Sequence, residues 1–304
     1  MDLRVDEGGA VGLVGESGCG KSVTMLAVLG LLPSTTIVTG SVRYRGAELL
    51  GAGGRELRRV RGAHIGMIFQ DPVTALDPVL TVGHQIAEGI RVHDRDVSRR
   101  DARNRAAELL DAVGIPEPGR RARQYPHEFS GGMCQRAMIA MAMANNPDVL
   151  IADEPTTALD VTIQAQILEL LNRLRRDHDV AVVLISHDLG VVAGMVEQVA
   201  VMYAGRIVER GSADQVYSNP RHPYTRGLLG ALPRLTGSAH SRLVPIEGRL
   251  PSLLRPPSGC AFHPRCKFAS DRCLTEDPGM RALGEVEAAC HHAEDVTPAI
   301  GIDR

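Results

Sequence analysis

A glycine-rich loop constrains this chain more than any other feature. Residues 15–22 read GESGCGKS and match the pattern G-x-x-x-x-G-K-[ST], directly after an apolar run at 10–15 and at the start of a helix predicted over 21–32. Glycines let backbone N–H groups face an anion at the positive end of that helix. The chain has only one other lysine, Lys267, so composition does not explain Lys21. We therefore predict a phosphate-binding loop in which Lys21 contacts the β- and γ-phosphates of a nucleotide and the Ser22 hydroxyl binds Mg²⁺.

Four continuous apolar runs predict buried strands, at 10–15, 148–153, 180–186 and 196–203. Uninterrupted hydrophobicity over so few residues is typical of a parallel sheet covered on both faces. Helical patterns lie between the runs, and the clearest spans 161–175. This alternation predicts an α/β fold.

Composition excludes several classes of protein. Lys and Arg (34) nearly balance Asp and Glu (36), and aromatic residues make up 3%, so neither a nucleic-acid surface nor a base-stacking platform is expected. No apolar run reaches the roughly 18 residues of a membrane helix, and the first residues do not form a signal peptide. We expect a cytoplasmic chain whose membrane role, if it has one, is peripheral.

Polar residues follow two further predicted strands. Asp153 and Glu154 end the run at 148–153, and His187 ends the run at 180–186. Ligands of open parallel sheets bind at the carboxyl ends of the strands. Asp153 is therefore predicted to hold Mg²⁺, and Glu154 to act as the general base or to orient water.

These motifs together resemble the ABC-type ATPases. The resemblance assigns residues 15–22 to Walker A, Gln70 to the Q-loop, FSGGM at 129–133 to the signature loop and ADEPTTALD at 152–160 to Walker B and the D-loop, with His187 as the H-loop switch. It implies a parallel RecA-like sheet core with an inserted helical subdomain, ATP hydrolysis, and head-to-tail dimers that close on ATP.

The resemblance also implies which residues carry each role. It assigns catalytic roles to Glu154, His187 and Gln70, and Mg²⁺ binding to Ser22, Gln70 and Asp153. The residues expected to bind ATP within one chain are Gly15, Glu16, Ser17, Gly18, Cys19, Gly20, Lys21 and Ser22. Those expected to bind it in trans, from the second ATP-binding subunit, are Ser130, Gly131, Gly132 and Asp160.

Narrower motifs resemble the ATP-binding subunits of oligopeptide, dipeptide and nickel importers. They are IFQDPVTALDP at 68–78, YPHEFSGGM at 125–133, NPRHPYTRGLLGALP at 219–233 and GCAFHPRC at 259–266. The resemblance implies partners: integral membrane permease subunits, a second ATP-binding subunit (self or sister chain) and, indirectly, an extracytoplasmic substrate-binding protein. It also implies a peripheral location on the cytoplasmic face of the membrane. Cys134 departs from the pattern, which more often has a basic residue there.

Four cysteines in the last third of the chain predict a metal site. Cys260, Cys266, Cys273 and Cys290 lie in a loop-rich segment, and a cytoplasmic chain is a poor setting for disulfides. No Cys-x2-Cys pair is present, so the spacing alone fits zinc or an iron–sulfur cluster equally. The importers that carry this tail resemble 4Fe–4S proteins, which places the cluster first, zinc second and unligated thiols third.

The expected domains are an ATPase core at 1–93 and 146–220, a helical signature subdomain at 94–145 and a cysteine-containing C-terminal module at 221–304. ABC ATPases usually have about two strands and an adenine-stacking aromatic residue before the phosphate loop. Here 14 residues precede it, none of them aromatic. We expect either an upstream start or a shortened chain that binds ATP more weakly.

Two other functions compete with peptide import. One is a soluble ABC ATPase that acts on DNA or ribosomes, but such proteins carry coiled coils, zinc insertions or basic linkers that this sequence lacks. The other is a truncated, inactive remnant, which the intact motifs argue against.

Overall fold

The computed structural model describes residues 1–232 and 246–296. The chain divides into two compact units. The P-loop unit comprises residues 1–4, 10–22 and 184–304, and the helical unit comprises residues 5–9 and 23–183. Of the predicted C-terminal module, residues 233–245 and 297–304 lie outside the described residues.

The strands of the described residues are mostly short and apolar. They are β1 (Ala10–Val14), β2 (Arg43–Tyr44), β3 (Ala47–Glu48), β4 (Ile65–Ile68), β5 (Val149–Asp153), β6 (Ala181–Ser186), β7 (Gln198–Tyr203), β8 (Arg206–Ser212), β9 (Arg281–Leu283) and β10 (Val286–Ala288).

The helices range from one to five turns. They are α1 (Lys21–Val28), α2 (Gly54–Val60), α3 (Pro72–Ala75), α4 (Val82–His93), α5 (Arg99–Ala112), α6 (Pro118–Arg121), α7 (Gly131–Ala142), α8 (Val161–His178), α9 (Leu189–Val192), α10 (Ala213–Ser218), α11 (Pro223–Gly230) and α12 (Asp271–Thr275), with single 3-10 turns at Pro126–Glu128 and His263–Arg265. Among these described helices, none is long and apolar enough to span a bilayer.

In the P-loop unit, the strand order is β6-β1-β7-β8-β10-β9. β1 pairs in parallel with β7, and Val11 lies opposite Gln198. β8 then pairs antiparallel with β7, and the β9–β10 hairpin extends the sheet beyond β8 in the same antiparallel manner. All five residues of β1 are buried, so the strand that leads into the phosphate loop is a central one.

In the helical unit, β4 pairs in parallel with β5, and Ile68 lies opposite Ala152. Helix α8 presents its buried residues on one face: Ile167, Leu170, Leu171 and Leu174. The Asp160 side chain caps the start of α8 by accepting a hydrogen bond from the Ile163 N–H. Asp179, at φ 53°, ends the helix in a left-handed conformation.

The four strands predicted from apolar runs are confirmed, as β1, β5, β6 and β7. The sheet is mixed rather than wholly parallel, because β8, β9 and β10 run antiparallel. Helix α1 ends at Val28, four residues before the predicted end. Gly30, at φ 59°, stops it there, and the Leu31 N–H donates back to the Leu26 carbonyl in a Schellman arrangement.

Candidate functional site

The glycine-rich loop of residues 15–22 wraps around the Lys21 side chain. Lys21 is 4% exposed, and its Nζ donates to the carbonyl oxygens of Gly15 (2.7 Å) and Glu16 (3.2 Å). The Gly205 N–H, from the turn between β7 and β8, donates to the Cys19 carbonyl at 2.8 Å. The loop thus holds the ammonium group at the amino end of α1, where an anion is also favoured.

Two glycines of the loop are needed for different reasons. A Cβ at Gly15 would lie 2.2 Å from the Met202 carbonyl oxygen, so the backbone of β7 approaches too closely for any side chain. Gly18 is exposed and has a φ of 84°, a left-handed conformation that glycine adopts at no steric cost. Close backbone approach and left-handed turns are what a phosphate-wrapping loop requires.

Cys19 occupies the middle of the loop as a buried thiol. Its side chain is completely buried, and burial raises the pKa of this thiol, although nearby Lys21 acts to lower it. Cys19 is therefore a neutral packing residue at neutral pH rather than a reactive thiolate.

Gln70 and Glu154 meet in the helical unit. The parallel pairing of β4 with β5 brings both carboxyl ends to one edge, with Gln70 two residues beyond β4 and Glu154 directly beyond β5. Gln70 Nε2 donates to Glu154 Oε2 at 3.2 Å, and Thr157 Oγ1 donates to the same oxygen at 3.0 Å. Glu154 is 7% exposed and Asp153 is 4% exposed, so two carboxylates that sequence reasoning placed together are both largely withdrawn from solvent.

Glu154 also has an unusual backbone. Its φ is 46°, in the left-handed region that non-glycine residues rarely occupy. Such conformations have a cost of about 1–3 kcal/mol and concentrate at functional sites. The two hydrogen bonds to its side chain hold the carboxylate in one orientation despite that cost.

The predicted signature loop forms the start of α7. Ser130 is exposed and caps the helix, its Oγ accepting from the Met133 N–H at 3.3 Å. A Cβ at Gly131 would meet nothing within 4 Å, whereas one at Gly132 would lie 3.2 Å from Ile163 Cγ2 in the first turn of α8. The starts of α7 and α8, and with them Ser130 and Asp160, are therefore neighbours in the helical unit.

His187 follows β6 directly in the P-loop unit and is exposed. The adjacent Asp188 caps α9, its Oδ1 accepting from the Gly190 N–H at 2.7 Å. The H-loop position is therefore a short connection held at its far end by a helix cap.

Cys134, which departs from the importer pattern, is 2% exposed. Its Sγ lies 3.6 Å from the Pro126 carbonyl, within the 3-10 turn that precedes the signature loop. The thiol fills a buried position in the first turn of α7, where its pKa is raised by burial.

The four cysteines of the C-terminal segment all lie in the P-loop unit and are free thiols. The Cys260 N–H donates to the Cys273 carbonyl at 2.9 Å, and backbone N–H groups of Phe268 and His292 donate to the sulfur atoms of Cys266 and Cys290, both at 3.4 Å. Burial, together with smaller contributions from the neighbouring cysteines, raises the pKa of Cys266 to about 11 and of Cys290 to about 12.

The donor set thus has the right chemistry for a cluster, but it is not arranged as a metal site. In the described parts of the chain, 1–232 and 246–296, no three or more His, Cys, Asp or Glu side chains are grouped so as to bind a metal ion. The four thiols are nevertheless close enough for Cys260, Cys266 and Cys273 to raise the pKa of Cys290 electrostatically.

Sequence reasoning missed the contacts that Glu16 makes. The Tyr224 hydroxyl accepts a hydrogen bond from the Glu16 N–H at 2.7 Å, and the Arg265 guanidinium donates to both oxygens of the Glu16 carboxylate. Tyr224 and Arg265 both lie in motifs singled out from the sequence, at 219–233 and 259–266. The motif spacing contains no signal that either residue reaches a loop more than 200 positions away.

Two family models match the chain: ABC transporter over residues 1–157, and the C-terminal region of oligopeptide/dipeptide transporters over residues 208–273. The first match covers more than half of the 304 residues. The chain belongs to the ABC transporter family.

Named relatives of this ABC family member are similar over most of its length. It is 53% identical over 298 residues to the oligopeptide transport ATP-binding protein OppD of Mycobacterium tuberculosis, a match that covers 98% of this chain and 49% of OppD. It is 53% identical over 276 residues to the dipeptide transport ATP-binding protein DppD of Bacillus subtilis, covering 90% of this chain and 82% of DppD. The chain therefore spans about half the length of the mycobacterial relative.

Solved structures agree with the fold. The ATP-binding cassette MJ0796, a dimer in a post-hydrolysis state bound to ADP and Pi, is 32% identical with a TM-score of 0.62, over 69% of this chain and 88% of that one. The cbiO1 protein of Clostridium perfringens, part of the ABC transporter complex cbiONQ, is 25% identical with a TM-score of 0.60, over 71% and 82% of the two chains. The α/β fold predicted from the alternation of apolar runs and helical patterns is that of an ABC ATPase.

Proposed function

We propose that this chain is the ATP-hydrolysing subunit that powers import of peptides, or of a related small solute, through a membrane ABC transporter. The observation that carries the ATPase role is the pairing of Gln70 with Glu154 beside Asp153, in a chain whose phosphate loop wraps around Lys21. The match at 208–273 to the peptide-transporter C-terminal region, together with the names of OppD and DppD, supports the substrate class.

Each proposed role follows from the chemistry of the residue. Lys21 and the loop N–H groups bind the ATP phosphates, and Glu154 takes the proton of the attacking water. Gln70 and Thr157 orient Glu154 through the two hydrogen bonds to Oε2. Mg²⁺, when bound, neutralises charge on the transferred phosphoryl group, and the oxygens of Ser22, Asp153 and Gln70 are its proposed ligands. We assign His187 to sensing the γ-phosphate.

Ser130, Gly131, Gly132 and Asp160 act in trans in this proposal. They lie at the exposed start of α7 and at the N-cap of α8, where N–H groups are available to a phosphate of the partner subunit's nucleotide. The dimeric state of MJ0796 supports such an arrangement. The partners we propose are a second ATP-binding subunit, integral membrane permease subunits and, indirectly, a substrate-binding protein.

The chain would then act at the cytoplasmic face of the membrane as a peripheral subunit. Its proposed domains are an ATPase core at 1–93 and 146–220, a helical signature subdomain at 94–145 and a C-terminal module at 221–304.

Two measurements test this function. The purified chain should bind Mg-ATP, seen as a rise in melting temperature, and Lys21→Ala should lose that rise because the phosphates lose their positive charge. Co-expressed with peptide-transporter permease subunits, the tagged chain should co-purify with them and hydrolyse ATP faster when peptide and binding protein are supplied. A wild-type chain that shows no rise with Mg-ATP would refute the ATPase role.

We further propose that Cys260, Cys266, Cys273 and Cys290 bind one structural 4Fe–4S cluster. Four free thiols within one module support this, as do the N–H groups directed at two of the sulfur atoms. Neighbouring cysteines contribute to the raised pKa of Cys260, Cys266 and Cys290. The proposal requires the thiols to turn toward a common centre, since the arrangement described here is not a ligand set. Zinc is the alternative ligand of the same thiols.

The metal content decides this proposal. Protein purified without oxygen should be brown and contain about four iron and four sulfide ions per chain. Cys266→Ser should lose the colour while the phosphate loop stays folded. Colourless protein with one zinc ion per chain would replace the cluster by zinc, and metal-free protein would leave the thiols unligated.

A further inference from the structure

Arg265 places a buried positive charge against the phosphate loop. Its side chain is 3% exposed, although it lies between Cys260 and Cys266 in a segment of loops and single turns. Nη1 donates to Glu16 Oε2 at 2.6 Å and Nη2 donates to Glu16 Oε1 at 2.9 Å. This two-pronged pairing is the strongest and most directional that arginine makes with a carboxylate.

The surroundings of Arg265 hold its guanidinium in one position. Nε donates to the Glu247 carbonyl at 2.9 Å, and the charged group lies 5.8 Å from the ring centre of Tyr203 and 6.0 Å from that of Phe262. The pairing with Glu16 raises the pKa of Arg265 further above its usual range. Surface ion pairs contribute little because water competes for both partners, but here the arginine side chain has almost no contact with water.

Glu16 is held at three points, and one of them reaches Lys21. Its carboxylate binds Arg265, its N–H donates to the Tyr224 hydroxyl, and its carbonyl accepts from Lys21 Nζ. Tyr224 in turn packs on Tyr203, with ring centres 4.6 Å apart. The backbone of the second loop residue is thus fixed from the C-terminal segment, and Lys21 donates to that same backbone.

A carboxylate in a phosphate-binding loop creates an electrostatic problem. Glu16 has the same sign of charge as the ATP phosphates that the loop is proposed to bind, and its side chain is 30% exposed. Like charges within about 10 Å at an effective dielectric constant of about 20 weaken binding by more than tenfold. Arg265 supplies the compensating charge on the buried side of the same carboxylate.

We propose that Arg265 is a positioning residue for nucleotide binding: it holds and neutralises the Glu16 carboxylate, so that the C-terminal segment completes the charge balance of the phosphate loop. The inference rests on the proposed ATPase function of that loop. It does not require the cysteines to hold a cluster, because Arg265 contacts the Glu16 carboxylate without one.

The test compares dissociation constants for ATP and ADP, measured by calorimetry at low salt, with unfolding temperatures as a check on folding. Arg265→Gln should weaken ATP binding about ten- to thirtyfold and ADP binding less, because ADP carries less negative charge. Adding Glu16→Gln to that variant should restore ATP affinity to within about threefold of wild type, since neither charge is then left uncompensated. A purely structural role of Arg265 would not be rescued by removing its partner.

Arg272→Ala is the matched control, because it removes an exposed arginine–carboxylate pair (with Glu276) from the same segment. It should leave nucleotide affinity unchanged. Equal ATP affinity of wild type and Arg265→Gln, or no rescue in the double variant, would overturn the inference. If wild type itself binds no ATP, the proposed function fails first.

If Arg265→Gln does not fold, Arg265→Lys and the double variant carry the test. Neither variant has an uncompensated negative charge at position 16. Arg265→Lys keeps a positive charge beside Glu16, and the double variant removes the Glu16 carboxylate. Each should bind ATP within about threefold of wild type. A loss of more than tenfold in either would overturn the inference.

Discussion

Glu209 carries a carboxyl group that is wholly buried beneath the start of α11. It accepts hydrogen bonds from the backbone N–H groups of Arg221 (2.6 Å) and His222 (3.0 Å). Burial outweighs these bonds and the Arg221 charge, and it raises the pKa of Glu209 from 4.5 to about 7. The folded protein at neutral pH therefore holds the charged and the protonated form of Glu209 in comparable amounts.

The sign and size of the effect on stability follow from this shift. A carboxyl group with a raised pKa binds its proton more tightly in the folded state, so its contribution is present below pH 4.5 and is lost as the pH rises through about 7. The rise from 4.5 to about 7 corresponds to about 3 kcal/mol, most of which is lost between pH 5 and pH 8. Glu209→Gln cannot ionise, so it should escape this loss.

The assay is urea unfolding, followed by far-ultraviolet circular dichroism, of wild type and Glu209→Gln from pH 5 to pH 8. The variant should gain about 2–3 kcal/mol relative to wild type across that range. Losing one N–H acceptor shifts the whole curve of the variant by a constant amount, and the slope with pH remains the informative quantity. Exposed Glu285→Gln serves as the control for removing one surface charge.

The contribution of His222 to stability changes with pH in the opposite direction, so it also affects the unfolding curves of wild type and Glu209→Gln. Burial lowers the pKa of His222 to about 3, so its contribution to stability is lost as the pH falls below about 6.5. Because His222 is present in both proteins, its contribution cancels in the difference between them. Wild-type and variant curves that stay parallel within about 0.5 kcal/mol from pH 5 to pH 8 would refute the reasoning.

Three further substitutions, with Gly131→Ala as a control, test the site and its support. Glu154→Gln should slow steady-state phosphate release by about 10²–10⁴-fold with ATP binding retained. Glutamine can still accept a hydrogen bond from Thr157, but it cannot take a proton from water. A rate near wild type would show that Glu154 is not the general base. Gly15→Ala should lower the free energy of unfolding by about 1–3 kcal/mol or more, since its Cβ would lie 2.2 Å from the Met202 carbonyl oxygen. The control Gly131→Ala should unfold like wild type in urea, because its Cβ would meet nothing within 4 Å. Gly259→Ala should lower the melting temperature and weaken ATP binding, because φ there is 65° and a Cβ would lie 2.4 Å from the Cys273 carbonyl oxygen. An unchanged melting temperature together with unchanged ATP affinity would contradict this close approach.

The central strands and the motif loops could be predicted because each depends on the residue types within a short, continuous stretch of sequence. Continuous apolar runs identified β1, β5, β6 and β7, and the glycines of residues 15–22 indicated the loop that follows β1. β4 was missed because its four residues, Ile65–Ile68, include a glycine and fall below a recognisable run. The edge strands β9 and β10 were missed because each has three residues, several of them polar.

The supporting residues of the site could not be predicted, since each depends on a partner distant in sequence. Arg265 looks like an ordinary residue of a cysteine motif until the fold brings it to Glu16. Glu209 looks like a polar residue of a strand, and only its burial under α11 gives it a raised pKa. The left-handed backbone of Glu154 likewise has no signature in residue type.

The P-loop unit is built from segments that lie far apart in the sequence, and this separation affects the order in which its parts are synthesised. Glu16 and Arg265 are separated by 249 positions, and β1 pairs with β7 near residue 198. At about 5–20 residues per second, the ribosome synthesises Arg265 about 12–50 seconds after Glu16. During that time the phosphate loop of the nascent chain lacks both β7, the strand that pairs with β1, and Arg265, because the helical unit between them is still being translated. A ribosome-bound chain should acquire tight nucleotide binding only after the segment that carries Arg265 has emerged from the ribosome.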